Sequence, residues 1–280
     1  MATSGFKGLT VVSFESRMAA EMTRLIERHG GIPLVAPALR EIPLEDNSAA
    51  LHFGDQLMRE GLDVLVLMTG AGTTALFEIL ESRYATSAVV AALKSTVLVA
   101  RGPKPVAALK ALGLQPTLTV PEPNTWMDVV STLDDHRPVK GQRVAVQEYG
   151  VSNRDLLEAL KQRGAQVTPV PIYRWAFPED TAPMKEALRQ ILAGQVQVLL
   201  ITNAAQLDHM MQLAEQEGQS APFKQACGRL VVASIGPTAS ERIHSHGLSV
   251  DFEPSHGKMG ILVKETSEQA QRLLATKQAS

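Results

Sequence analysis

At 280 residues, 45% of them apolar and 20% charged, the chain has room for two globular domains, each with its own core. A net charge of −2 gives no overall footprint for nucleic acid, and no apolar run approaches the length of a membrane span. The first residues lack the charged-then-apolar pattern of a signal peptide, so the cytoplasm is the expected location, with no membrane partner.

Short β-branched runs fall at 10–14, 33–36, 64–68, 97–100, 117–120, 143–147, 167–170, 198–202, 230–234 and 249–252. Amphipathic stretches between them predict helices over 16–29, 48–60, 73–82, 87–94, 103–112, 125–133, 152–163, 182–193, 204–216, 237–246 and 258–275. Gly30, Gly113, Gly164 and Gly247 stand where a helix-ending glycine belongs. This alternation is that of an α/β protein with parallel sheets covered by helices. The single cysteine, Cys227, excludes an internal disulfide and reads as a buried, inert thiol.

The chain also repeats itself about 134 residues apart. Val64-Leu-Val-Leu-Met-Thr69-Gly-Ala-Gly-Thr-Thr returns in outline as Val198-Leu-Leu-Ile-Thr202-Asn-Ala-Ala. Arg101-Gly102-Pro103 is echoed by Ile235-Gly236-Pro237, and the stretch from Leu9 to Val35 is matched by one starting at Arg143. Two similar domains with equivalent loops follow, with a site expected between them. Two proline-bearing extended segments, 33–43 and 167–178, occupy the same point of the repeat and suit connectors better than sheet interior. They allow a discontinuous first domain, but the residues alone slightly favour a simpler cut near residue 137, in a polar stretch.

Gly70-Ala-Gly72-Thr-Thr-Ala75 formally fits a dinucleotide fingerprint, yet its repeat partner has no glycines and the next strand ends at Arg101 instead of an acidic ribose ligand. The broader chemistry of strand-to-helix turns remains: backbone N–H groups at helix starts bind anions. Candidate ligand contacts are therefore Thr69, Gly70, Gly72 and Thr73; Arg101, Gly102 and Lys104; Tyr149, Gly150, Asn153 and Arg154; Thr202, Asn203 and Ala204; Gly236, Pro237 and Thr238; and Arg17. Ordinary helix caps are the bland alternative for each turn; their number on equivalent sheet edges favours a ligand with many negative groups. Tyr173, in the second connector, is the candidate catalytic residue, against the alternative of a packing tyrosine. The seven histidines offer no metal-ligand spacing, and no hydrolase or phosphate-loop motif occurs, so neither metal nor organic cofactor is expected.

Together these residues resemble the uroporphyrinogen-III synthase family. The resemblance is carried by Val66-Leu-Met-Thr-Gly-Ala-Gly-Thr73, Ala100-Arg-Gly-Pro-Lys104, the 156–173 stretch ending in Tyr173 and Ser234-Ile-Gly-Pro-Thr-Ala-Ser240. Departures are Phe14-Glu-Ser-Arg17 after the first strand and Thr202-Asn-Ala204 in the second repeat. The resemblance implies two α/β domains joined by a two-stranded connector: a discontinuous one (1–37 and 175–280), a second (41–170) and connectors at 38–40 and 171–174, hinging at 37–41 and 171–177. It further implies a monomer that takes hydroxymethylbilane, with transfer from the preceding pathway enzyme as a further partner. In the implied reaction this octacarboxylate loses water, cyclises and inverts its ring D to give uroporphyrinogen III. Tyr173 would be the general acid, and backbone amides would hold the carboxylates. The competing readings are a non-catalytic two-lobed binder of an anionic molecule, which would keep the turns without Tyr173, and a nucleotide-dependent enzyme using Gly70–Ala75.

Overall fold

The structure, a computed structural model, describes residues 5–279. The chain runs β1 (Thr10–Ser13), α1 (Ala19–Arg28), β2 (Ile32–Val35), β3 (Arg40–Pro43), α2 (Ser48–Glu60), β4 (Val64–Leu67), α3 (Gly70–Glu81) and α4 (Thr86–Ala92). It continues with β5 (Val97–Ala100), α5 (Pro103–Ala111), β6 (Leu118–Thr119), α6 (Trp126–His136), β7 (Arg143–Glu148), α7 (Arg154–Gln162), β8 (Gln166–Pro171) and β9 (Tyr173–Ala176). Last come α8 (Ala182–Leu192), β10 (Val198–Ile201), α9 (Ala204–Gln216), α10 (Ser220–Cys227), β11 (Val231–Ser234), α11 (Pro237–Ser245) and α12 (Met259–Ala279).

These elements form two units. One contains the chain up to Arg40 and from Ala176 onward; the other is Glu41–Trp175. The first is built on a parallel sheet in the order β11-β10-β1-β2, the second on a parallel sheet in the order β6-β5-β4-β7-β8. β3 and β9 pair with each other where the chain changes unit. The fold class is thus mixed α/β with parallel sheets, as the alternating runs require.

Side chains alternate across each strand and feed a core on both faces. In the first unit, Val12, Leu199 and Ile201 pack among α8, α9, α10 and α11, while Val11, Val198 and Leu200 pack against α1 and α12. In the second, Leu65 and Leu67 face α2, α3, α4 and α5, while Val64 and Val66 face α6 and α7. All of these are fully buried, each contributing on the order of 1.5–3 kcal/mol.

Local signals account for most boundaries. Gly30 and Gly164 close α1 and α7 at φ of +74° and +80°, a left-handed turn that glycine adopts without a Cβ penalty. Three expectations are corrected. The helix expected from residue 73 starts at Gly70, because Thr69 caps it by accepting the Gly72 N–H at 3.0 Å. The 249–252 strand shrinks to one bridge, Ala233 to Phe252. Residues 220–227 form a helix missed in sequence, its Ser-Ala-Pro opening resembling a turn. The strand expected at 167–170 is β8, which keeps its prolines because it is the outer strand of its sheet, where a missing N–H costs no ladder bond on the open side.

The registers refine the repeat. Val64 and Val198 are 134 residues apart, but Val64 faces Val144 while Val198 faces Val11. The first strands therefore correspond at an offset of 133, so Arg143 matches Thr10 rather than Leu9, and Glu148 and Gln147 stand where Glu15 and Phe14 do.

Cys227 is buried at the end of α10, and burial pushes its thiol up to about 12. The native state therefore holds the proton more tightly than the unfolded chain. This contribution is fully present below the ordinary thiol value of 9.0 and declines as pH rises towards about 12. Iodoacetamide at pH 8 should leave the folded protein unlabelled and modify it in urea; rapid labelling of the native state would contradict the buried, protonated thiol.

Candidate functional site

Open parallel sheets bind ligands outside the carboxyl ends of their strands, where helix N-termini present unpaired N–H groups. In the second unit that edge is formed by the turns after β4, β5 and β7. The turn after β4 is organised by Gln147, a fully buried side chain of β7. Its Oε1 accepts the N–H groups of Met68 and Thr69, both at 3.2 Å, and its Nε2 donates to the Glu148 carbonyl at 2.5 Å. Removing the amide would strand two backbone donors at about 1–3 kcal/mol each if they stayed buried. Thr69 then caps α3, and its Oγ1 lies 3.4 Å from the Tyr173 hydroxyl. Tyr173 is 7% exposed, packs in the core under α3 and carries through its carbonyl a bond from the Gly150 N–H. Thr69, Gly70, Gly72, Thr73 and Tyr173 thus come together, as do Gly150 and Tyr173.

A second group gathers at Arg101. Its Nε donates to the Asn124 carbonyl at 2.6 Å, and its Nη1 to the Tyr149 hydroxyl at 2.7 Å. The guanidinium also lies 5.5 Å from the centre of the Tyr149 ring, which meets Trp175 edge-on at 5.6 Å. No carboxylate among the described residues pairs with this half-buried cation. Gly102 packs on Asn124, and Lys104, whose side chain is exposed, packs through its carbonyl and Cβ against Gly70, while the exposed Arg154 side chain joins neither group. Asn153 caps α7 through the Leu156 N–H.

The amide donors left for a ligand are fewer than the turns alone imply. At α3, Gly72 and Thr73 donate to Thr69, leaving Gly70 and Ala71 with no acceptor among the described residues. At α5, Pro103 and Pro105 have no N–H and Val106 donates to Gly102, which leaves Lys104 as the donor of the first turn. At α7, Arg154 and Asp155 remain.

The first unit solves the same local problem differently. Gln206 of α9, the counterpart of Gly72, supplies the amide: its Oε1 accepts the Thr202 N–H at 3.1 Å, and buried Phe14 occupies the place of Gln147. The Thr202 hydroxyl donates to Glu15, whose carboxylate also takes the Gln206 Nε2 at 3.3 Å and the Met18 N–H at 3.1 Å. An internal carboxylate therefore occupies Thr202, one of the predicted anion contacts. Asn203 caps α9 by accepting the Ala205 N–H, and Ala204 begins it. At α11, Gly236 donates to Ser234, Pro237 has no N–H, and Thr238 keeps a donor. Arg17 is exposed in the turn before α1.

Sequence reasoning missed Gln147, Gln206, Glu15 and Asn124, all polar side chains acting within the turns. A signal existed for Gln147, a lone amide closing the apolar run Val144–Val146. A cavity of about 490 Å³ also went unforeseen; it is lined by Tyr173, Ile172, α2, β3 and one face of α3. Among the described residues no cluster of histidine, cysteine or acid side chains could hold a metal, and no helix is long and apolar enough to cross a membrane.

This arrangement defines a class: two α/β units built on parallel sheets, with strand-to-helix turns along one edge of each. The chain belongs to the uroporphyrinogen-III synthase family, whose model, described as uroporphyrinogen-III synthase HemD, matches residues 20–264. It is 25% identical to the uncharacterized protein YjjA of Bacillus subtilis over 94% of this chain and 97% of that one. Its fold is shared with a mutant uroporphyrinogen III synthase from Thermus thermophilus, at a TM-score of 0.70 and 21% identity over 96% of this chain and all of that one. A uroporphyrinogen-III synthetase from Helicobacter pylori gives a TM-score of 0.52 at 13% identity over 92% and 98%.

The crossed placement of Gln147 makes Gly72 demanding, since a Cβ there would lie 2.1 Å from the Gln147 Nε2. Gly72→Ala should destabilise the protein by about 1–3 kcal/mol in urea unfolding, and the same substitution should cost less in a Gln147→Ala background, where the clash is absent. An unchanged midpoint for Gly72→Ala would show that the turn is not held as described.

Proposed function

We propose that the chain converts hydroxymethylbilane to uroporphyrinogen III, losing water and inverting ring D as it closes the macrocycle. Family membership supports the reaction class. The observation that carries the residue assignment is the Tyr173 hydroxyl, 3.4 Å from Thr69 Oγ1 at the start of α3, where the Gly70 and Ala71 N–H groups are available. Catalytic hydrogen bonds are often long before substrate arrives, so this separation suits a group that turns to its substrate.

The chemistry asks little of the protein beyond placement. Electrons from the pyrrole expel the hydroxyl, and Tyr173 needs only to share its proton with the departing oxygen. A phenol can serve such a leaving group by partial proton donation. The substrate's carboxylates would be held by Arg101, whose charge has no carboxylate partner among the described residues, and by the available amides of α3, α5 and α7. With the linear chain folded on these groups, closure at the substituted position of the last ring competes favourably with closure at its free position, because proximity and orientation set the relative rates.

The test is incubation with enzymatically generated hydroxymethylbilane, followed by oxidation and separation of the type I and type III porphyrins. The wild-type protein should give type III. Tyr173→Phe, which keeps the ring packing, should lower kcat about ten- to a thousandfold, at or just below the usual range for general acid catalysis. Arg101→Ala should act mainly through KM. Type I product alone from the wild-type protein would leave a non-catalytic tetrapyrrole binder as the better reading, whereas full activity in Tyr173→Phe would remove that residue from the chemistry.

A further inference from the structure

The cavity beside Tyr173 has a composition that the carboxylate-binding reading does not explain. Its apolar wall is one face of α3, where Ala71, Ala75 and Ile79 recur every four residues, opposed by Leu51 of α2 and by Ile172. Its charged lining residues are Glu41 and Glu78, and it has no lysine, arginine or histidine. A volume of about 490 Å³ falls within the range of small-molecule sites, roughly 300–1,000 Å³. Such a lining offers an anion no cationic partner. It accepts a flat, neutral ring, and it favours that ring further once the ring turns positive.

Resting on the synthase reading, we propose that this cavity is the subsite of the pyrrole ring that loses its hydroxyl, and that Glu78 at its rim steadies the cation formed there. The step balances as follows. The Tyr173 proton passes to the hydroxyl oxygen, the carbon–oxygen bond breaks and water leaves. The ring nitrogen's electron pair flows into a new exocyclic carbon–carbon double bond, so the nitrogen carries the positive charge and the phenolate the negative one. The last ring then attacks the exocyclic carbon through its substituted carbon, the bond from that carbon to its old bridge breaks, and the bridge rejoins at the ring's free carbon; the proton shed by that free carbon restores the phenol. Ala71 links the two halves of the proposal, since it lines the cavity and also opens α3, where its N–H and that of Gly70 can take the ring's acid arms. The arms thus leave the acidic rim while the ring stays inside.

Glu78 carries a distinctive kinetic signature, because it opposes binding of the octa-anionic substrate while favouring the cation. Glu78→Gln should lower kcat about two- to fivefold, the scale of a solvent-screened charge pair, with KM unchanged or reduced. Glu78→Lys should lower both further. A side chain that only supported the fold would lower the melting temperature without this split, so both variants are checked for unchanged unfolding midpoints. Independently of turnover, pyrrole added to isotope-labelled protein should shift the NMR signals of Ala71, Ala75 and Ile79, and benzoate, an anion of similar shape, should not. Ala75→Leu, which fills the cavity, should abolish the pyrrole response. Wild-type kcat in Glu78→Gln, or a preference for benzoate over pyrrole, would overturn the proposal. A wild-type protein that binds pyrrole here but makes no type III product would instead overturn the synthase reading, and with it the assignment of the ring.

Discussion

The architecture depends on two parallel ladders that join distant parts of the chain: β1 with β10, and β4 with β7. Each sheet needs a strand pair from one repeat and another from the other. The first unit takes β1 and β2 from the first repeat and β10 and β11 from the second; the second unit takes β4 and β5 from the first and β7 and β8 from the second. Neither repeat is a folding unit by itself, because a lone pair of parallel strands would leave one ladder edge open and its two faces half covered. Crossing the repeats closes both cores with the same strand order.

That shared order hides a local asymmetry. Both units must satisfy the backbone donors where β4 and β10 turn into their helices. The second unit sends a glutamine from the neighbouring strand and thins the helix to Gly72; the first sends a glutamine from the helix and fills the strand position with Phe14. Each is a complete solution, and a mixture of the two would either crowd two amides into one space or leave the donors unpaired. The choice has consequences at the edge. In the second unit the N-terminus of α3 stays open beside Tyr173, whereas in the first the corresponding turn is engaged by Glu15.

The second unit's edge therefore combines three environments within one sheet: amide donors and Arg101 for negative groups, a phenol held in the core, and an apolar cavity with an acidic rim. On the synthase reading proposed above, they would suit the opposing demands of a substrate rich in carboxylates whose reaction passes through a cation. Backbone amides and one half-buried guanidinium can in principle bind anions without a broad basic surface, consistent with a chain whose overall charge is only −2.

The sequence by itself determined the alternation of strands and helices, the helix-ending glycines and the existence of a repeat, because these follow from periodicity and from backbone preferences that act over a few residues. It also located the turns after β4, β5, β7, β10 and β11 as places where polar and backbone groups gather. What only the tertiary structure decided was how those turns are wired. A one-residue shift between the first strands of the repeats concealed the equivalence of Phe14 and Gln147, and no local pattern shows that a buried amide on one strand reaches the end of the next. The same holds for Pro169 and Pro171, which reads as connector in isolation and as strand once β7 supplies a partner on one side. Pairing partner and the space left by a neighbour are properties of residues some eighty positions apart, such as Met68 and Gln147, and they exist only after the ladders have formed.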